Sequence, residues 1–297
     1  MGTPAAEIEI DVCLVRSLLT SQHSDLAHLP ITPANSGWDN AMFRLGETMA
    51  VRLPRRQLGA DLIQKEQIWL SRLAPQLTLP TPLPIRIGLP DRGYPWCWSV
   101  VPWIAGETVD RVTLVRGEGR RFAEFLRSLH KPAPSDAPIN PYRGCQLSHR
   151  SAQVNKWMIE LERSSDPVVP SIQRLWQQAC QAPIATSAAW IHGDLHAHNV
   201  LAADGKLSGV IDWGDLTSGD VATDLAAIWM LFERPEERMS AIAAYGINRT
   251  DMDEATCLRA KGWAIFFAII LLKTGLVGNL SHAAIGRATL RRLIQDS

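Results

Sequence analysis

The chain has 297 residues, 46% hydrophobic and 20% charged, with 30 Lys and Arg against 30 Asp and Glu, so its formal charge is zero. That length suits two domains or one domain in two lobes, and the composition excludes a disordered or fibrous chain. Zero net charge removes the simplest case for a nucleic-acid or anionic-membrane partner, which needs a basic surplus.

The first 30 residues carry Glu7, Glu9, Asp11 and Asp25 and lack the basic-then-apolar layout of a signal peptide. Residues 31–54 read as short strands, with a hairpin about Gly46-Glu47-Thr48 joining 42–45 to 49–53. A helix follows over about 60–73 and ends at Pro75. From 78 to 95, Pro80, Pro82, Pro84, Pro90 and Pro95 keep regular structure brief. Residues 96–103 form an apolar strand running into Val101-Pro102-Trp103-Ile104-Ala105-Gly106, a candidate hinge. Beyond it Phe122, Phe125, Leu126 and Leu129 recur at helical spacing, as do Ile228, Trp229 and Leu231. One hairpin interrupts this texture, with 199–202 and 207–212 joined at Asp204-Gly205. The greasiest run, 263–272, lies between Lys261 and Lys273; a spanning helix needs about 18 apolar residues, so this is a buried core helix. The expected architecture is α+β, with a small β-rich N-lobe over 1–103 and a larger, mainly helical C-lobe over 104–297. Cys13, Cys97, Cys145, Cys180 and Cys257 are scattered without a CxxC pair. They favour a reducing, cytoplasmic setting over a disulfide framework or Cys-rich zinc site. No membrane or nucleic-acid partner is expected.

The densest chemistry is His192-Gly193-Asp194-Leu195-His196-Ala197-His198-Asn199, followed by Ile211-Asp212-Trp213-Gly214-Asp215. The hairpin brings Asn199 and Asp212 to one open end, with Asp194 just upstream. Such oxygens are hard ligands suited to Mg²⁺, and a carboxylate off the metal can accept a hydroxyl proton. The bland alternative is that Asp194 and Asn199 cap turns. Zinc on His192, His196 and His198 is a further rival, but the spacing fits no zinc pattern and there is no Cys partner. His192 reads as a structural histidine beside the turn.

These motifs resemble those of the aminoglycoside phosphotransferase family, relatives of the protein kinases. The resemblance implies a two-lobed protein-kinase-like fold and transfer of the γ-phosphate of ATP or GTP to a small-molecule hydroxyl. By position it makes Asp194 the base and Asn199 and Asp212 the Mg²⁺ ligands, with Trp213 where kinases place Phe. The run Gly219-Asp220-Val221-Ala222-Thr223-Asp224-Leu225-Ala226 is similar to the family's GDPxxDLA box, Val221 replacing Pro. There the first aspartate, Asp220, is implied to tie the catalytic loop down, and Asp224 is also read as structural.

The N-lobe offers a separate test. Leu62, Glu66, Trp69 and Leu73 form one helical stripe, so Glu66 sits in an apolar face where it needs a cation, and Arg52 offers one. By resemblance the pair orients the nucleotide phosphates, with Arg52 departing from the usual Lys. An exposed Glu66 with Arg52 as an ordinary edge charge is the alternative. Ser36 and Gly37, within Asn35-Ser36-Gly37-Trp38-Asp39-Asn40, occupy the place of the phosphate-covering loop, though no GxGxxG exists. Val101 and Trp103 are implied to offer backbone groups to adenine, plain core packing being the other reading for Trp103. Trp38, Trp103 and Trp213 fall beside the implied nucleotide site, and Trp263 reads as packing.

Residues 212–254 hold ten acidic and three basic residues. An acidic cleft beside the base would attract a polycationic acceptor such as an aminoglycoside, with Asp215 as the substrate contact. A solvated helix face explains the same count. Macrolide, choline-like, homoserine-like and sugar-amine acceptors stay open, as do a nucleotide-binding pseudoenzyme, a metal-dependent hydrolase and the oligomeric state.

Overall fold

Alternation of apolar and polar residues builds the first sheet. Strand β2 (Asn40–Leu45) buries Ala41, Phe43 and Leu45, and β3 (Met49–Pro54) pairs with it across the expected turn. With β1 (Ile31–Pro33), β4 (Arg86–Gly88) and β5 (Trp98–Pro102) they form an antiparallel sheet in the order β1-β2-β3-β5-β4. Strand β3 is buried along both faces. Val51 and Leu53 enter a core with Val15, Leu18 and Leu19 of helix α1 (Val12–Gln22), which sequence patterning missed. Arg52 points the other way, because neighbouring strand residues face opposite sides.

That other side is met by α2 (Gln57–Leu73), which starts three residues before the expected position. Its buried face runs through Gly59, Ile63, Glu66, Leu70 and Leu73, with Trp69 beside it, while Leu62 is only half-buried. The stripe is thus rotated from the expected one, yet Glu66 stays inside it. Between α2 and β5 the prolines leave β4 as the one strand among the described residues.

This computed structural model describes residues 5–34, 37–162, 169–184, 187–246, 253–275 and 280–296. The chain divides into two compact units. One comprises Thr3–Ala105 with Val210–Gly214; the other comprises Gly106–Gly209 with Asp215–Ser297.

The second unit is mainly helical: α3 (Glu118–Leu129), α4 (Ser151–Glu162), α5 (Pro170–Gln181), α6 (Ala222–Leu225), α7 (Ala227–Leu231), α8 (Pro235–Gly246), α9 (Glu254–Gly275) and α10 (Leu280–Gln295). On α3, Phe122, Phe125, Leu126 and Leu129 are all fully buried, as their spacing requires. Helix α9 extends the expected 263–272 core run to 22 residues. By length and composition it could cross a membrane, but 72% of its most apolar window is buried inside the fold. Helices α4, α5, α6, α7 and α10 pack on it.

Short strands hold the loops of this unit. β7 (Ala189–Ile191) pairs antiparallel with β10 (Thr217–Gly219), and β6 (Glu107–Thr108), β8 (Val200–Ala203) and β9 (Lys206–Val210) form a second small sheet. The β8–β9 turn sits at Asp204 and Gly205, with φ of 51° and 73°, the left-handed pair that Asp-Gly hairpins adopt. Asn199 lies one residue before β8 and Asp212 two residues past β9, so both are loop positions rather than strand ends.

Candidate active site

In the sheet-bearing unit the Arg52–Glu66 pair forms: Arg52 Nη1 donates to Glu66 Oε1 at 2.6 Å, and both side chains are buried. Burial works against the Arg52 charge, but the Glu66 carboxylate and then Asp212 outweigh it and raise its pKa. Glu66 Oε2 is buried with no partner. Asp212 therefore belongs electrostatically with Arg52. It holds φ at 63°, a left-handed conformation that Asp tolerates better than most residues. Trp213 behind it is fully buried, its indole N–H donating to the Val210 carbonyl at 3.0 Å.

The other residues of the implied nucleotide set differ in what they can offer. Gly37 donates its N–H to the Asn40 carbonyl, so that group closes a turn; Ser36 lies outside the described residues. Val101 stands on β5 opposite Ala50. The Trp103 N–H already donates to the Thr48 carbonyl at 2.7 Å, which leaves its carbonyl as the backbone group it could present. Arg44 stacks over the Trp103 ring at 4.5 Å. Trp38 is 40% exposed.

In the helical unit, β7 leads into the loop that carries Asp194. Asp224 accepts from the His192 N–H at 2.6 Å and the Gly193 N–H at 2.9 Å. His130 donates to the same carboxylate at 3.3 Å and bonds the Tyr245 hydroxyl at 2.8 Å. Asp224, the second aspartate of the box, therefore ties down the loop that carries Asp194, where Asp220 was expected to. Asp220 instead clamps Arg259 of α9, through bonds of 2.7 and 3.1 Å, and caps the Ala222 N–H at 3.2 Å. The reason is placement: Asp220 is committed to Arg259 and to the Ala222 N–H at the start of α6, while the His192 and Gly193 N–H groups meet Asp224 on the helix itself. Gly193 has φ of 87°, and a Cβ there would lie 2.7 Å from the Asp215 carbonyl, so only glycine fits. His192 is fully buried and accepts the Asp194 N–H on Nδ1 at 3.3 Å, a structural role.

Asp194 meets Arg143 Nη2 at 3.0 Å and His196 Nε2 at 3.4 Å. Burial would raise its pKa, but His196 and then Arg143 hold the carboxyl well below the usual carboxylate range. Asn199 is buried and donates its amide to the Asp194 carbonyl at 2.9 Å. Asp215 accepts from the Asn140 amide at 2.7 Å. Sequence reasoning missed Arg143, Asn140 and His130. Each stands dozens of residues from its partner and belongs to no motif, so no local signal marks it. Ion pairing also changes the acidic count of 212–254. Asp220 and Asp224 are bound as described, and Glu237 accepts the N–H groups of Gly117 and Gly119.

The model of the phosphotransferase enzyme family matches residues 30–256. An aminoglycoside 3'-phosphotransferase of Escherichia coli is 26% identical over 208 residues, 66% of this chain and 73% of that protein. Among solved structures, the GDP complex of an aminoglycoside 2'-phosphotransferase-IIIa aligns with a TM-score of 0.67 at 17% identity, covering 97% of this chain and 100% of that one. A macrolide 2'-phosphotransferase type I aligns with a TM-score of 0.59 at 19% identity, covering 97% and 99%.

Proposed function

The chain belongs to the phosphotransferase enzyme family, and from that premise we propose that it moves the γ-phosphate of ATP or GTP to a hydroxyl of a small molecule, with Asp194 as the base. One observation carries the reading: in the motif loop the Asp194 carboxylate is held ionised by His196 and Arg143. An ionised carboxylate can accept the hydroxyl proton as the acceptor oxygen bonds to the γ-phosphorus. The bond from phosphorus to the bridging oxygen breaks, and the nucleoside diphosphate leaves with that electron pair. Arg52, braced by Glu66, is the proposed phosphate contact, and Ser36, Gly37, Val101 and Trp103 complete the nucleotide set.

As Mg²⁺ ligands we propose the Asn199 side-chain oxygen and the Asp212 carboxylate. Both are hard oxygen donors, and the Asn199 amide N–H is already turned to Asp194. When bound, Mg²⁺ supplies charge neutralisation on the transferring phosphates. The five free thiols suit a reducing compartment, and we place the reaction in the cytoplasm.

The names of the relatives put aminoglycosides and macrolides first among acceptors to test. Steady-state nucleotide consumption across a panel of hydroxyl acceptors, with phosphorylated product identified by mass, tests the reading. Product formation that Asp194→Ala abolishes supports it. An Asp194→Ala protein that turns over like the original chain overturns it.

A further inference from the structure

The loop that carries Asp194 also holds His192, His196 and His198, and the proposed transfer gives none of the three rings a task of its own. Among the described residues no group of three or more His, Cys, Asp or Glu side chains is arranged to hold a metal ion, so zinc does not account for them. Their hydrogen bonds do.

Which nitrogen of an imidazole carries the proton is set by the bond that the other one makes. The His198 N–H donates to His196 Nδ1 at 3.2 Å, and the Asn199 N–H donates to the His196 carbonyl at 2.9 Å. Since Nδ1 is an acceptor, the ring proton of His196 sits on Nε2. That nitrogen lies 3.4 Å from Asp194 Oδ2, so the proton faces the carboxylate. On the other oxygen, Oδ1, Asp194 meets Arg143 Nη2 at 3.0 Å, with the guanidinium stacked over Phe267 of α9 at 5.1 Å. A donor at each oxygen restrains rotation of the carboxylate about its own axis.

His192 makes the same turn one step earlier, its Nδ1 accepting the Asp194 N–H at 3.3 Å. Two imidazoles therefore fold the loop by one device, each taking the amide two residues on. His196 adds to this the second nitrogen turned to the base.

His198, whose N–H fixes the His196 proton, is held from outside the motif. Its Nε2 lies 3.2 Å from Asp110 Oδ2 and 3.0 Å from Ser281 Oγ, and the Ser281 hydroxyl donates to the same Asp110 oxygen at 2.9 Å. Asp110 stands in the short helical turn Val109–Arg111 after β6, and Ser281 in the first turn of α10. The His282 ring of α10 lies 4.9 Å from the His198 ring. The direction of the amide that sets His196 is thus fixed by two distant elements.

We propose that His196 is a positioning residue of the transfer: its Nε2–H holds the Asp194 carboxylate in the orientation that receives the acceptor hydroxyl. The inference rests on Asp194 being the base of the proposed transfer. It gives Nδ1 the task of folding the loop and Nε2 that of aiming the base.

The test separates the two nitrogens. His196→Asn keeps an acceptor near the place of Nδ1, His196→Gln puts an amide N–H near the place of Nε2, and His196→Leu has neither. Turnover is measured on the full chain with ATP and GTP against kanamycin, erythromycin, choline and homoserine. His196→Leu and His196→Asn should lower kcat about 10- to 100-fold, the loss of a hydrogen bond to a charged group, with KM changed less than about twofold. His196→Gln should recover at least about threefold of that loss. Thermal melting confirms that each variant is folded. A His196→Leu protein that turns over like the original chain overturns the inference. Rescue by His196→Asn rather than His196→Gln also overturns it, since the ring would then serve the turn alone. NMR of the chain carrying isotope-labelled histidine reads the ring without turnover, the His196 signals being those missing from His196→Gln. A protonated Nε2 whose shift moves in Asp194→Asn is expected. A protonated Nδ1, or an Nε2 signal indifferent to Asp194→Asn, overturns the inference. An original chain that phosphorylates none of the four compounds counts against the phosphotransfer reading and not against the His196–Asp194 contact, which the NMR decides.

Discussion

Each unit buries one arginine–carboxylate pair close to its motif residues, and the two pairs are built differently. In the helical unit Arg259 meets both oxygens of Asp220, at 2.7 and 3.1 Å, and also bonds the Pro183 carbonyl and the Thr256 hydroxyl; Asp220 further accepts the Ala222 N–H. In the sheet-bearing unit Arg52 gives Glu66 one bond, and the second Glu66 oxygen is orphaned. A saturated pair holds elements together and has nothing left to offer. An unsaturated one, with a third charged group in Asp212 nearby, keeps donors available to a ligand. Depth of burial is nearly the same in both, so hydrogen-bond saturation, not burial, is what distinguishes the two pairs.

The largest expected effect exploits the same contrast between two aspartates of the catalytic loop region. Asp194→Ala should lower turnover about 10²- to 10⁴-fold with little change in melting, because general-base assistance is lost. Asp224→Ala should instead strand the His192 and Gly193 N–H groups and cost about 2–6 kcal/mol of stability, read by urea unfolding. Equal loss of stability in both would erase the distinction.

Next comes the saturated pair. Arg259→Met leaves Asp220 buried and uncompensated, and should destabilise the chain by about 3–5 kcal/mol in urea unfolding. Replacing both members of the unsaturated pair, Arg52→Met with Glu66→Leu, should change stability by less than about 1 kcal/mol. The same double variant should weaken nucleotide binding about tenfold or more, measured calorimetrically. A double variant that binds nucleotide normally would remove the sheet-bearing pair from the site.

The smallest effect concerns a neutral group rather than a pair. His282 is half-buried beside His198, and burial, then the charges of His198 and His196, lower its pKa to about 4. The unfolded chain, with an ordinary histidine near 6.5, binds this proton first. Stability from His282 is therefore present above about pH 6.5 and declines as pH falls toward 4. Solvent screening limits this to the order of 1 kcal/mol. His282→Gln should flatten that part of the stability–pH curve.

How much was legible follows the range of the interaction. The two hairpins rest on turn residues a few positions apart, Gly46-Glu47-Thr48 and Asp204-Gly205, and both formed where expected. The Arg52–Glu66 pair was readable because a carboxylate inside an apolar helical stripe demands a cation, even though the stripe itself is rotated. Helix α9 announced its core but not its length, since its flanking turns are less apolar. Both Asp220 and Asp224 are structural as read, but the loop tie expected of Asp220 falls to Asp224, because Asp220, just ahead of α6, faces Arg259 of α9 while Asp224, on α6, faces the N–H groups after β7.

Local chemistry therefore determined the family, the two hairpins, the sheet-then-helices layout, and the residue types that can accept a proton or hold phosphate and metal. These depend on motifs within ten or so residues, where covalent spacing alone sets geometry. Tertiary structure decided which charges are engaged. Arg143 reaches Asp194 across 51 positions, Arg259 reaches Asp220 across 39, and Asn140 reaches Asp215 across 75. A count of charges along the chain cannot register such pairings, because Coulomb attraction acts through space and is indifferent to sequence separation. The acidic surplus of 212–254 is real in composition, and partly consumed in the fold.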